Sequence, residues 1–168
     1  MPLILSVCLS PALQRTLVFH EIRPGCVNRA EKVRLSTGGK GVNVARIINQ
    51  LGTPSTFLGI FGAKTGRKVR ILPEAGGVSV AAVENLLPAF ICRTRTDLHR
   101  SPPTELVVEC PPVSSDLVQR TWFRFRNLLE DHKIVVLSGP VPQDFNDPVY
   151  TDFIHRVRYS KNNPGCSY

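Results

Sequence analysis

Ser36-Thr37-Gly38-Gly39-Lys40-Gly41-Val42-Asn43-Val44-Ala45-Arg46 concentrates the chemistry of this 168-residue chain. Three glycines bracket a lysine directly ahead of an amphipathic segment. Glycine lets a backbone turn sharply and approach a ligand closely. A helix that starts at Gly41 or Val42 turns its free N–H groups and the positive end of its dipole toward that ligand. Lys40 adds a full charge at the same spot. Asn43 adds a group that both donates and accepts, one step into the helix. The combination suits a polyhydroxylated, anionic small molecule such as a sugar phosphate. The glycines taken alone fit a tight turn with no ligand equally well. Two nucleotide loops are excluded. Gly41 is followed by Val42, so no Gly-Lys-Ser/Thr follows the glycines. In Gly59-Ile60-Phe61-Gly62-Ala63-Lys64-Thr65, Ala63 stands where the last glycine of a Walker A loop belongs. The stretch is not GxGxxG either.

The elements that must position this loop are legible around it. Residues 3–9 read as a first strand, broken by Ser10-Pro11-Ala12. Residues 16–19 and 33–35 read as short strands, with a turn at Pro24-Gly25. Residues 42–51 carry apolar side chains at helical spacing, and Gly52 suits the helix C-terminus. Residues 56–61 read as a buried strand. Residues 66–74 have helical composition, but an interior proline costs about 3 kcal/mol, so the helix is expected to end before Pro73. Gly76-Gly77 is a turn ahead of a strand at 78–83. Residues 89–98 and 105–109 read as a strand pair. Ser114-Ser115-Asp116 caps a helix to about residue 130. Residues 134–137 read as a buried strand ending in the turn Ser138-Gly139-Pro140, with a further helix at 147–157. Strand–helix–strand alternation argues α/β with a mainly parallel sheet. The early short strands break that rhythm and are expected to form a separate small sheet. Ligands in such folds sit at the C-terminal ends of parallel strands, where Ser138 and Gly139 fall.

Composition bounds the function. Hydrophobic residues make up 42% and charged residues 20%, which reads as one soluble globular domain. No apolar run approaches the roughly 20 residues that cross a membrane. The N-terminus lacks a basic n-region and reads as a strand rather than a signal peptide. The five cysteines are widely and irregularly spaced, without CxxC or a His/Cys cluster, so free thiols in a reducing cytoplasm are expected and no metal site. The net charge of +8 fits a polyanion partner. Its basic residues are spread along the chain, however, and no nucleic-acid motif accompanies them.

Several motifs in order resemble the phosphofructokinase-B (ribokinase-like) family of carbohydrate kinases, in its 1-phosphofructokinase and tagatose-6-phosphate kinase branch. They are residues 7–16 (VCLSPALQRT), 38–46 (GGKGVNVAR), 59–66 (GIFGAKTG), Thr94-Arg95-Thr96-Asp97-Leu98, Thr104-Glu105-Leu106 and Leu137-Ser138-Gly139-Pro140-Val141-Pro142. The resemblance implies an ATP-dependent phosphoryl transfer to a sugar-phosphate hydroxyl. It also implies a parallel sheet flanked by helices and a small β lid, at approximately 10–36 and 89–110. The substrate-binding part would cover residues 1–158, with a polar tail at 159–168. By position, Gln14, Gly38, Gly39 and Asn43 would meet sugar hydroxyls. Lys40 and Arg95 would hold the phosphate already on the substrate, and Ser138 and Gly139 would line the pocket. A homodimer through the lid also follows from the resemblance, while the cytoplasmic location rests on the unpaired cysteines.

The chain departs from the family at defined points. The usual Asn-Pro-Ala-x-Asp reads Ser10-Pro11-Ala12-Leu13-Gln14, so a carboxylate has become an amide at Gln14. Asp97 stands where asparagine is usual. The family's ATP and Mg2+ sites, and the Gly-Ala-Gly-Asp segment carrying its catalytic base, lie downstream of these residues. No catalytic residue is therefore assigned here. The chain reads as a kinase cut before its ATP-binding half, with little or no activity expected alone. Two further readings stay open: a non-catalytic sugar-phosphate-binding fragment or half of a split kinase with a separate C-terminal part, and a basic polyanion or nucleic-acid binder.

Overall fold

The computed structural model describes residues 3–86, 90–97, 104–108, 112–142, 145 and 149–162. In order the elements are β1 (Ile4–Cys8), β2 (Ala12–Phe19), β3 (Lys32–Gly38), α1 (Lys40–Gln50), β4 (Ser55–Gly62), α2 (Ala63–Ala75), β5 (Ser79–Asn85), β6 (Phe90–Asp97), β7 (Thr104–Val108), α3 (Ser115–Leu129), β8 (Ile134–Leu137) and α4 (Val149–Asn162). They build two four-stranded sheets. The first has the order β5-β4-β1-β8 and is parallel throughout. Parallel neighbours need crossovers, which α1 and α2 supply on one face. The second has the order β3-β2-β6-β7, with β2 and β6 parallel and the outer pairs antiparallel. The early strands thus leave the parallel sheet, as their broken rhythm predicts.

Period-two alternation divides the core into two layers. β4 is buried along its whole length, as a strand covered on both faces must be. Its Leu58 and Ile60 pack with Leu5 and Val7 of β1 against Leu117, Phe125 and Phe153 of α3 and α4. Phe125 and Phe153 stack there with ring centroids 4.1 Å apart. Phe57 and Phe61 face the other way, onto Val42 and Ala45 of α1 and Val69 of α2. The same alternation turns Ser6 and Cys8 of β1 toward α1. The Ser6 hydroxyl donates to the Gly41 carbonyl at 2.8 Å, and Cys8 joins the α1 cluster. Ser114 caps α3 by accepting from the Leu117 N–H at 3.2 Å, as its sequence predicts.

Pro73 does not end α2, which continues to Ala75. A proline in a helix lacks the N–H that would bond the carbonyl four residues earlier. That carbonyl belongs to Val69, and the fully covered Thr37 hydroxyl donates to it at 2.8 Å. A side chain from β3 thus supplies the bond that Pro73 cannot. Thr37→Val is expected to lower stability by about 1–3 kcal/mol, because it strands a buried acceptor. In a Pro73→Ala background the helix regains its own donor and the loss shrinks. Urea melts of the four proteins measure both.

Other bounds moved for tertiary reasons. β2 starts at Ala12 and β3 runs to Gly38, because they pair from Ala12↔Gly38 to Val18↔Lys32 through residues whose own preferences are weak. β8 is half-open rather than buried, with Ile134 44% exposed, since among the described residues it pairs with β1 alone. α4 runs to Asn162, so residues 159–162 of the expected tail are helical. Residues 163–168 and the expected turn at 100–103 lie outside the described residues. No described helix is long and apolar enough to cross a membrane.

Candidate substrate site

The C-terminal ends of β1 and β8 open at one level. Val7 is in register with Leu137, and the Ser138 N–H donates to the Val7 carbonyl at 3.0 Å. The Ser138-Gly139 turn therefore leaves the sheet beside Cys8. α1 begins over the same residue, with Gly39 as its N-cap at φ 121°. Three glycines press on the cysteine. A methyl carbon built on Gly41 would lie 2.7 Å from Cys8 Cβ and 3.0 Å from the Val7 carbonyl oxygen. One on Gly139, at φ +97°, would lie 2.8 Å from Cys8 Sγ, and one on Gly39 would lie 3.3 Å from it. Cys8 is the floor on which both glycine turns rest. The second sheet closes over it: Ala12 pairs with Gly38, and Gln14 Oε1 lies 3.3 Å from where a Gly38 side chain would begin.

The electrostatics favour an anion at this opening. α1 has no side-chain cap and no acidic residue in its first turn. The end of its dipole is therefore unneutralised, with Lys40 exposed as the first helical residue. Burial pushes the Cys8 thiol above its ordinary range, and the neighbouring Gly41 and Ser10 backbones offset only part of that rise. Cys8 is thus a neutral spacer at physiological pH. Tyr150, projecting from α4, donates to the carbonyls of Gly139 at 3.1 Å and Ser138 at 3.3 Å. Burial, and then the neighbouring Cys8, push the Tyr150 hydroxyl up to about 12. Two hydroxyls at this end of the sheet, Ser10 Oγ and Ser138 Oγ, are buried without a hydrogen-bond partner among the described residues. Buried donors are seldom left so unless a ligand or water completes them.

A raised folded-state pKa on an acid contributes stability that is whole below the unfolded value. It is lost as pH rises through the folded value. For Tyr150 the loss falls between about 10, the ordinary tyrosine value, and about 12. Tyr150→Phe is expected to be less stable at neutral pH and to lose less stability across that window. Denaturation midpoints between pH 8 and 12 check it.

The structure gathers Gln14, Gly38, Gly39, Ser138 and Gly139 around the end of β1. Lys40 and Asn43 sit at the rim and are exposed. The Asn43 N–H donates to the Gly39 carbonyl at 3.2 Å, and its Oδ1 accepts from Arg46 Nη1 at 3.4 Å. Arg95 is not brought to this cluster by its backbone. It pairs with Leu17 on β2, five positions beyond Ala12, roughly 16 Å along the strand. Its side chain lies outside the described residues. Cys8, Ser10 and Tyr150 were not legible as site members. Cys8 and Ser10 lie in a motif read for its other positions. Tyr150 lies 11 residues from the Gly139 carbonyl it holds, and no local pattern marks it.

A parallel α/β sheet flanked by helices, with a second small sheet over an uncapped helix N-terminus, defines a ribokinase-like fold. The chain belongs to the pfkB family of carbohydrate kinases, whose family model matches residues 6–165. Among solved structures it is similar to a Thermotoga maritima protein described as a possible 1-phosphofructokinase. The identity is 23% and the TM-score 0.87, over 95% of this chain and 51% of that one. It is also similar to phosphofructokinase-2 from Escherichia coli in complex with fructose-6-phosphate, at 23% identity and TM-score 0.83, over 95% and 52% of the two chains. The chain spans about half the length of these matched structures.

Proposed function

We propose that these residues form the sugar-phosphate-binding part of an ATP-dependent hexose-phosphate kinase of the 1-phosphofructokinase type, working in the cytoplasm. The observation that carries this reading is the meeting of the α1 N-terminus and the Ser138-Gly139 turn on Cys8, with two unpartnered hydroxyls beside them. Lys40 and the α1 N–H groups hold the substrate's existing phosphate as a point charge and a dipole. Gln14, Asn43 and the Ser10 and Ser138 hydroxyls take sugar hydroxyls, and Gly38, Gly39 and Gly139 allow close backbone approach. Arg95 joins from the lid when the substrate is bound. Family membership implies ATP as the phosphoryl donor. The 168 residues contain no Gly-Ala-Gly-Asp, so the catalytic base is assigned to none of them.

Ser138→Ala separates binding from folding. Deleting an orphaned buried hydroxyl leaves stability level or slightly raised, while affinity for a hexose phosphate falls about tenfold through one lost hydrogen bond. Thermal melts with fructose 1-phosphate, fructose 6-phosphate, tagatose 6-phosphate and unphosphorylated fructose read both effects, because a ligand of the folded state raises the midpoint. A midpoint raised equally by fructose and its phosphates would contradict the reading.

The open β8 edge, with Val135–Leu137 only half-buried, favours a further polypeptide part that extends the parallel sheet there, in the same or a separate chain. The second sheet leaves Val33, Leu35, Leu106 and Val107 about half exposed, which suits a homodimer through the lid. One E. coli phosphofructokinase-2 structure is of a tetrameric inhibited form.

A further inference from the structure

β5 has one free edge: among the described residues it pairs only with β4. Its side chains alternate, Val80 and Ala82 toward the α2 cluster, Ala81 and Val83 toward the α3 cluster. A cavity opens on each side of this edge, and the two share Ala82 and Glu84. The one beneath α2 is about 240 Å³ and carries Arg67 and Arg70. The one beneath α3 is a wider, shallow depression open to solvent and carries Arg120 and Arg124, with Phe123 66% exposed at its rim. Arg70 is paired with Glu74 and Arg120 with Asp116. Arg67 and Arg124 are exposed and form no ion pair among the described residues. Each cavity thus holds one uncommitted guanidinium, while Glu84 is the acidic group common to both.

Arg120 already displays the two bonds an incoming strand would offer. Its Nε donates to the Asp116 carboxylate at 2.8 Å and its Nη1 to the Glu84 backbone carbonyl at 2.9 Å. That second bond covers only the C-terminal end of the strand and leaves the edge from Ser79 to Val83 unpaired among the described residues. An exposed strand edge is a template for another chain, and an added strand sends successive side chains to opposite faces. We propose that the β5 edge takes an extended acidic peptide as an added strand, with neighbouring carboxylates entering the Arg67 cavity and the Arg124 cavity in turn. Arginine suits this task because its fork meets a carboxylate with two bonds. The chain's net charge of +8 draws such a peptide in. This surface is separate from the sugar-phosphate site, and its occupancy does not depend on that reading.

The test is fluorescence anisotropy of the full chain with a fluorescein-labelled heptapeptide of valine, glutamate and aspartate. The same peptide N-methylated at alternate backbone nitrogens serves as control, and single-stranded DNA as competitor. Binding of the plain peptide is expected to weaken about tenfold in Arg67→Ser and again in Arg124→Ser, and not in Arg15→Ser on the other sheet. N-methylation is expected to abolish it. Equal binding of the N-methylated peptide, unchanged affinity in both cavity variants, or displacement by DNA at matched charge would each overturn the proposal. Both cavity substitutions are at exposed positions, and circular dichroism of the variants checks that they fold.

Discussion

Gly41→Ala is expected to cost about 3 kcal/mol, enough to unfold much of a marginally stable domain. The new methyl carbon would stand 2.7 Å from Cys8 Cβ and 3.0 Å from the Val7 carbonyl oxygen, both on the rigid first strand. Neither neighbour is the free end of a flexible side chain, so the helix or the strand must move. Ser6 resists that movement, because its hydroxyl holds the Gly41 carbonyl at 2.8 Å. Gly139→Ala meets a different obstacle. Its methyl would clash with Cys8 Sγ at 2.8 Å, and its φ of +97° is strained for any side chain. A second substitution separates the two. Cys8→Ala removes the sulfur and is expected to recover part of the Gly139→Ala loss. It leaves Gly41→Ala nearly as damaging, because the Cys8 Cβ and the Val7 carbonyl remain. Urea denaturation of the two single glycine variants and their Cys8→Ala doubles measures the difference.

Lys40→Ala is expected to weaken hexose-phosphate binding by about 10- to 100-fold, with stability nearly unchanged. A hydrogen bond to a charged group contributes about 1.5–3 kcal/mol, and every 1.4 kcal/mol is tenfold. Lys40 is exposed at the first position of a helix that has no acidic residue in its first turn. Among the described residues no ion pair rests on its ammonium, so the effect falls on the ligand. Lys40→Arg keeps the charge and is expected to recover most of the affinity. The loss should be smaller for unphosphorylated fructose, which has no phosphate for Lys40 to hold. Calorimetric titrations of the three proteins with the two ligands measure it.

Much of this was readable from the chain because the relevant signals are local. Glycines beside Lys40 mark the loop, apolar spacing marks α1, and Ser114 marks the start of α3. What was not readable depends on contacts between distant segments. Pro73 stays helical because Thr37, 36 positions earlier, takes the carbonyl it cannot serve, a bond made across 32 residues to Val69. β2 and β3 extend past their apolar cores because each supplies the other's hydrogen bonds. Cys8 appears in sequence as one of five scattered thiols, and only the fold shows three glycines packed against it. Tyr150 becomes part of the site only when α4 returns to the end of β8. Arg95 shows the converse. Its motif placed it with Lys40, while the sheet register places its backbone well along the second sheet.

The most direct test of the central claim is calorimetric titration of the purified chain with fructose 1-phosphate, run beside fructose and inorganic phosphate. One saturable site per chain for the sugar phosphate, much weaker binding of the two separate parts, and affinity weakened about 10- to 100-fold in Lys40→Ala is the predicted result. Folded protein, confirmed by circular dichroism, that binds fructose 1-phosphate no better than inorganic phosphate would contradict it.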